Sequence, residues 1–300
     1  MLRTKKDKTA YLGAALLVQL ALHLIRTFLL DAISPLTSNS LLLSHLYGVI
    51  TLILKIAVFL IPTGVYLKLC GVNMTALLNP TGDKKRESSS LRRRALQFVA
   101  AASITLNAAN LFGMVTDGIY KAMGIEIAPS VLPDDGVLAV ISFLSAVILA
   151  PLLEELLFRG AVINAFSPLK KGDVLLCGML FALMHYSAYP LLYALVAGCL
   201  IAFFTKKTNS LAVAVGIHFI NNLLTFVSLA IAFYISEAAS NIFGYLLMAL
   251  TLPVAIFGIV MLIKERRGVV ERPAERSEGD EPSLNLICVY IVISTMICLR

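Results

Sequence analysis

Six polar side chains interrupt strongly apolar stretches in the second half of the chain, where bare lipid would not tolerate them. Only 14% of the 300 residues are charged, whereas 59% are hydrophobic. Ionisable groups within membrane-length apolar segments are rare, and by default they face a cavity or one another at a functional site. The sequence therefore predicts a site built from Glu154, Glu155, Arg159, His185, His218 and Asn222.

The two adjacent acids have different geometric roles on a helix. Glu155 and Arg159 are four residues apart with the acid first, which is the favourable order for an intrahelical ion pair. Glu154 is rotated by about 100° from Glu155 and points away from that pair. One acid is thus neutralised in place while its neighbour faces a reactant. A purely structural ion pair is the alternative interpretation of Glu155 and Arg159.

The polar residues of three separate segments are predicted to lie at one depth. His218 and Asn222 share a helix face because they are four residues apart. At about 1.5 Å per residue, Glu154 lies about 18 Å from the end of its helix near Phe166. By the same measure, His185 lies about 20 Å and Asn222 about 18 Å from the corresponding helix ends. We expect these side chains to meet in one pocket.

Such a cluster suits the activation of water. Glu154 and His185 could share the deprotonation of a water molecule, and His218 and Asn222 could donate hydrogen bonds to the oxyanion of a tetrahedral intermediate. The predicted chemistry is peptide hydrolysis without a covalent nucleophile. Two histidines and one glutamate also form a known catalytic zinc set, although the chain has no HExxH motif. Taken singly, His185 and Asn222 could equally make interhelical hydrogen bonds.

The composition is that of an all-α, polytopic membrane protein. The mean hydropathy is +0.87, and several apolar stretches exceed the roughly 18 residues needed to cross a bilayer. The net charge is +7, but the basic residues gather at the ends of apolar runs and form no aromatic-interleaved patch. A lipid bilayer is therefore the expected partner, and a nucleic acid is not. The five cysteines show no metal-ligand spacing and are interpreted as small buried residues.

Hydropathy predicts a bundle of about eight membrane spans. Their predicted bounds are 9–30, 43–69, 95–119, 137–166, 173–186, 190–205, 211–235 and 241–263. With this number of spans, basic residues follow every second helix, and all the basic loops fall on one face. Those residues are Arg3, Lys5, Lys6, Lys8, Lys84 to Arg86, Arg92 to Arg94, Lys170, Lys171, Lys206, Lys207 and Lys264 to Arg267. The positive-inside rule makes that face, and the N-terminus with it, cytoplasmic in a cell membrane.

The chain divides into four predicted regions. Residues 1–136 hold three N-terminal helices with a basic cytoplasmic loop, and 137–235 form the catalytic core. Residues 236–263 form the last helix, and 264–300 form a charged tail with a marginal apolar segment. That segment, 284–299, is predicted as a ninth helix, an interfacial segment or a dispensable end. Lys55, within the second span, is interpreted as an interhelical contact or a snorkelling group.

Three motifs in fixed order resemble the CPBP family of intramembrane proteases. They are Glu154-Glu155-x-x-x-Arg159, Phe181-x-x-x-His185 and His218-x-x-x-Asn222, with Ala150-Pro151 before the acids and Phe158-Arg159-Gly160 around the arginine. That family includes the type II CAAX prenyl endopeptidases and the bacterial Abi proteins linked to bacteriocin immunity.

The resemblance implies a role for each of the six residues. Glu154 and His185 would activate the water, His218 and Asn222 would form the oxyanion hole, and Glu155 and Arg159 would support the site. A CAAX-protease-like fold and a peptide or membrane-protein substrate are implied as well. The family is often labelled as metalloproteases, so zinc is compatible with the resemblance but no cofactor is firmly implied.

Two other classes of function use the same features. A non-catalytic membrane scaffold or bacteriocin-immunity factor would keep the polar cluster only as support for the fold. A transporter or proton relay could also use buried acids and histidines, but the chain has no internal repeat that would favour one. The sequence specifies neither the individual substrate nor the oligomeric state.

Overall fold

The protein is described by a computed structural model that covers residues 4–81, 91–125, 131–267 and 281–299. These residues form helices and connecting turns, with no β-strand among them. The helices are α1 (Lys5–Ile33), α2 (Leu41–Cys70), α3 (Met74–Leu78), α4 (Leu91–Ala122), α5 (Gly136–Phe143), α6 (Ala150–Glu155), α7 (Val162–Phe166), α8 (Lys171–Leu183), α9 (Leu191–Thr208), α10 (Leu211–Tyr234), α11 (Glu237–Arg267) and α12 (Asn285–Cys298).

The helix inventory agrees with a polytopic membrane protein of about eight spans. Seven helical segments in the described ranges are long and apolar enough to cross a membrane, counting the run from α5 to α7 as one segment. The predicted span 173–186 corresponds to α8, which has only 13 residues and is about 20 Å long. It is therefore shorter than the hydrocarbon core of a bilayer, which is about 30 Å thick.

The helix that carries the two acids begins at a capped end. Asp135 is the residue before α5, and its carboxylate accepts a hydrogen bond from the Leu138 amide at 2.9 Å. His45 of α2 lies 2.9 Å from the same oxygen. The Leu138 amide, and secondarily His45, lower the pKa of Asp135 below its usual value. The cap and the bond to α2 together hold this end of the helix in register.

Two π-helical turns, Leu144–Leu149 and Leu156–Ala161, flank the short helix α6. Pro151 lies near the start of α6 and has no backbone N–H, so the regular hydrogen-bond ladder cannot continue through it. A wider turn accommodates that loss, and such turns are frequent at functional sites. Glu154 and Glu155 lie between the two turns and are buried.

Helices α8 and α9 cross in close contact at two glycines. A Cβ atom at Gly178 would lie 2.3 Å from the Cys199 sulfur and 2.9 Å from the Cys199 backbone nitrogen. A Cβ atom at Gly198 would lie 3.0 Å from the Gly178 Cα. Small residues permit this approach between helix backbones. The crossing sets the position of the end of α8, where His185 follows.

Four of the five groups of basic residues predicted to share one face lie at one end of the bundle. The Lys5 ammonium, at the start of α1, donates to the Pro168 carbonyl at 3.3 Å. The Lys206 ammonium, near the end of α9, donates to the adjacent Leu169 carbonyl at 2.7 Å. Lys207 forms an ion pair with Glu265 at the end of α11. Of the predicted basic residues, Arg3 and Lys84 to Arg86 lie outside the described residues.

The C-terminal apolar segment forms the 14-residue helix α12, which packs against α1 and α8. Tyr290 is fully buried, and its hydroxyl donates to the Gln19 side chain of α1 at 3.4 Å. The predicted charged tail begins later than expected because α11 continues to Arg267. The rest of that tail, 268–280, lies outside the described residues.

Candidate active site

One cavity of about 260 Å³ brings the predicted site residues together. Glu154, His185, His218 and Asn222 all line it, although they belong to three different parts of the chain. Glu155 and Arg159 lie beside it and are fully buried. The roles assigned to these residues remain predictions, but the shared pocket on which those roles depend is present.

The ion pair expected from the four-residue spacing is present. Arg159 Nη1 donates to Glu155 Oε1 at 2.9 Å, and neither side chain is exposed. Arg159 Nη2 donates to the Gly198 carbonyl of α9 at 3.1 Å, and the guanidinium lies 4.1 Å from the centre of the Phe181 ring. Arg159 therefore links the acid-bearing helix to both α8 and α9.

His218 pairs with the supporting acid rather than with the predicted base. Its Nδ1 lies 2.8 Å from Glu155 Oε1, whereas its Nε2 lies 4.0 Å from Glu154 Oε2. A carboxylate that accepts from Nδ1 fixes the tautomer and orientation of an imidazole. The 4.0 Å separation is too long for a direct hydrogen bond but suits a bridging water. Sequence spacing did not predict the contact between Glu155 and His218.

His185 follows the C-terminus of α8, and its ring is oriented by a backbone carbonyl. Its Nδ1 lies 3.0 Å from the carbonyl oxygen of Phe181. When Nδ1 carries the proton and donates it to this carbonyl, Nε2 is the nitrogen that can accept a proton.

The Phe181 ring lies edge-to-face against both imidazoles of the site. Its centroid is 5.2 Å from that of His185 and 5.7 Å from that of His218. The sequence motif includes Phe181 but does not say what it does. The structure shows that this one aromatic ring packs against both imidazoles and against Arg159.

Asn222 is held by the first π-helical turn. Its Nδ2 donates to the Ala146 carbonyl at 2.9 Å, and a primary amide has a second N–H that this bond does not use. The neighbouring Asn221 also lines the cavity and accepts a hydrogen bond from the Tyr193 hydroxyl at 2.8 Å. Asn221 and Tyr193 are cavity residues that the motif pattern did not predict.

Lys55 of α2 also lines the cavity, although it lies far from the motifs in the sequence. Its ammonium is 3.9 Å from Glu154 Oε1 and donates to the Ser145 carbonyl at 3.1 Å. Of the two interpretations of this lysine, the interhelical contact is the one observed. The position of Lys55 near the middle of an apolar span was a sign in the sequence that it has a partner, but it did not show that the partner is Glu154.

The ligand set expected of a metalloprotease does not fit the observed arrangement. In the described part of the chain, no group of three histidine, cysteine, aspartate or glutamate side chains is placed to hold a metal ion. The Lys55 ammonium is already close to Glu154 and would repel a second cation there.

Comparison with known proteins gives a match to the segment that contains the site. Residues 136–224 match the family model of type II CAAX prenyl endopeptidase Rce1-like proteins. No curated protein and no solved structure matches the chain. The matched segment begins at the first residue of α5, contains all six predicted site residues and supports a protease. The chain is therefore a multi-pass helical membrane protein that contains an Rce1-like domain at residues 136–224.

Proposed function

We propose that this protein is an intramembrane endopeptidase that hydrolyses a peptide bond with a water molecule activated by Glu154 and His185. The observation that carries the proposal is the single cavity lined by an acid, two imidazoles and a carboxamide. The Rce1-like match over the same residues supports a protease of the CAAX type. A scaffold or immunity factor would not require these groups to share a cavity.

The proposed reaction uses only groups of this chain and water. Water loses a proton to Glu154, assisted by His185, and its oxygen bonds to the carbonyl carbon of the scissile peptide. The carbonyl oxygen becomes an oxyanion, which accepts hydrogen bonds from His218 and Asn222. When the tetrahedral intermediate collapses, the C–N bond breaks and the proton held by Glu154 passes to the leaving amine.

The contact between His218 and Glu155 determines which ring nitrogen of His218 could donate a hydrogen bond to the oxyanion. Because Nδ1 donates to Glu155, Nε2 can donate only when the ring carries a proton on each nitrogen. The Glu155 carboxylate fixes the orientation of the ring, as the carboxylate of a carboxylate–imidazole pair does in hydrolases. Glu155 and Arg159 thus support catalysis through the ring that they orient.

We propose a membrane-associated peptide as the substrate class. The name of the matched family points to a prenylated tail ending in Cys-a-a-X. A bacteriocin, a signal-peptide remnant or a peptide pheromone is the corresponding substrate if the protein acts as the Abi proteins do. The end of the bundle that holds Lys5, Lys206 and Lys207 is proposed to face the cytoplasm of a cell membrane.

The test is the Glu154→Gln variant, reconstituted in proteoliposomes with a fluorescence-quenched farnesylated peptide ending in Cys-a-a-X. Removing the general base should lower kcat by about 10²–10⁴-fold. Glu237→Gln, at an exposed acid at the start of α11, is the matched control and should be as active as wild type. In parallel, membrane proteomics should find uncut peptides that accumulate in cells carrying Glu154→Gln.

Undiminished turnover by a folded Glu154→Gln variant would remove the proposed base. A cellular phenotype that persists in Glu154 and His185 variants, with no peptide accumulating, would favour the scaffold or immunity factor.

A further inference from the structure

Lys55 is a charged residue at the middle of an apolar helix. It lies 14 residues from Leu41 and 15 from Cys70, which places its Cα about 21–22 Å from either end of α2. At that depth a lysine is costly unless it finds an opposite charge or a carbonyl. Lys55 has both kinds of partner, because its ammonium lies in the site cavity near the Ser145 carbonyl and the Glu154 carboxylate.

The two acids of the site are balanced by two different cations. Glu155 has Arg159 on its own helix, at 2.9 Å. Arg159 is committed to Glu155 and to the Gly198 carbonyl, while Glu154 Oε1 has the Lys55 ammonium at 3.9 Å. A buried carboxylate is costly unless an opposite charge or a hydrogen-bond donor lies close to it. Lys55 provides that opposite charge for Glu154.

We propose that Lys55 is a positioning residue for catalysis, and that its ammonium balances the charge of the Glu154 carboxylate and holds it directed into the cavity. The inference rests on the proposed function, which it deepens by adding a residue of α2 to the site. Lys55 lies outside the segment 136–224, so the N-terminal helices complete the site rather than merely anchor it. Among the described residues, the charged or titratable groups that share the cavity with Glu154 are Lys55 of α2, His185 after α8, Tyr193 of α9 and His218 of α10.

The kinetic test compares Lys55→Met with Lys55→Arg in proteoliposomes, using the farnesylated Cys-a-a-X peptide. Lys55→Met removes the charge with little change in volume and should lower kcat at least about tenfold, while KM changes less than about threefold. Lys55→Arg keeps the charge and should recover most of the lost kcat. Lys68→Met, at an exposed lysine further along the same helix, should match wild type.

A second measurement does not depend on turnover. The apparent unfolding midpoints of wild type, Lys55→Met, Glu154→Gln and the double variant form a double-mutant cycle. Lys55→Met should lower the midpoint by at least about 3 °C when Glu154 is present, and by much less when the Glu154→Gln substitution has already removed the negative charge. If Lys55→Met alone does not fold but the double variant does, the two residues are coupled, and the role of Lys55 in balancing the charge of Glu154 is supported.

Each outcome decides one of the two proposals. Wild-type kcat in Lys55→Met overturns the role of Lys55 and leaves the protease standing. A loss of kcat that Lys55→Arg does not recover, with additive midpoints, shows a merely structural lysine and also overturns it. If the wild-type protein cleaves nothing, the proposed function fails, and the midpoints alone decide whether Lys55 balances the charge of Glu154.

Discussion

Hydrogen bonds link Arg159, Glu155 and His218 beside the cavity that Glu154 and His185 line. Glu155 Oε1 accepts from both Arg159 and His218, at 2.9 and 2.8 Å. Buried ion pairs contribute little net stability, but removing one partner leaves an uncompensated charge in a low dielectric. The supporting residues are therefore expected to be as sensitive to substitution as the residues that touch the substrate.

Arg159→Lys is predicted to behave as a disruptive substitution although it conserves the charge. A lysine cannot reach both Glu155 and the Gly198 carbonyl, nor stack its charge over the Phe181 ring as a planar guanidinium does. The loss of one charged hydrogen bond and of the ring contact should cost about 2–4 kcal/mol of unfolding free energy. Denaturant unfolding in detergent, followed by circular dichroism, measures this cost.

Arg92→Lys is the control for that prediction because Arg92 is exposed at the start of α4. It should change the unfolding free energy by less than about 0.5 kcal/mol. Equal stability of the two variants would show that the contacts of Arg159 with α8 and α9 do not support the site.

At the scale of helices, the close crossing of α8 and α9 sets where the imidazole lies. Gly178 and Phe181 are three residues apart and lie on one side of α8, and His185 follows directly after the end of this helix. The glycine contacts α9, the aromatic ring contacts Arg159, and the histidine reaches the cavity. A change in the distance between the two helices would therefore displace the proposed base.

Gly178→Ala is predicted to lower activity through this displacement. The added Cβ would lie 2.9 Å from the Cys199 nitrogen and 3.0 Å from the Leu195 carbonyl oxygen, and neither backbone atom can rotate away. Separating the helices should cost about 1–3 kcal/mol of stability and about 10–10²-fold in kcat. Peptide cleavage in proteoliposomes measures the loss of kcat.

Gly172→Ala, on the same helix, is the matched control because nothing lies within 4 Å of its added Cβ. It should be as active as wild type and as stable or more so. A similar loss of kcat in both variants would argue against the crossing as the feature that places His185.

At the scale of the whole molecule, segments outside the Rce1-like domain brace the site. The Tyr186 hydroxyl donates to the Gln19 side chain of α1 at 2.8 Å, and the Tyr290 hydroxyl of α12 donates to the same oxygen. Tyr186 directly follows His185 and has a positive φ of 49°, a conformation that a tyrosine rarely adopts unless its surroundings enforce it. Helices α1 and α12 thus hold the turn on which His185 depends.

A chain ended after Ser283 is predicted to lose both stability and activity. It lacks α12, so the surface of α1 that packs against Tyr290 and Ile287 becomes exposed and Gln19 loses one of its two donors. The unfolding midpoint should fall, and kcat should drop by about tenfold or more as His185 loses its fixed position. Thermal unfolding in detergent and the peptide-cleavage assay measure the two effects.

A chain ended after Cys298 is the control because it keeps α12 and removes only two residues, of which Leu299 is 76% exposed. It should behave as wild type. Full activity in the chain ended after Ser283 would show that 284–299 is the dispensable end that the sequence also allowed.

The amino-acid sequence by itself determined the class of protein, most of the helices and the candidate site residues. Hydropathy and four-residue spacing are local properties, so they predict a membrane span or the pair Glu155–Arg159 without knowledge of the rest of the fold. The short α8, the π-helical turns and α12 were less predictable, because length and propensity are marginal there and packing decides the outcome.

Only the tertiary structure decided which partner each site residue has. The contacts of Glu154 with Lys55 and of Glu155 with His218 join residues 99 and 63 positions apart. Such contacts depend on how each helix is rotated about its axis and how closely it packs against its neighbours. No local pattern in the sequence contains that information, because it arises only when all the helices are packed together.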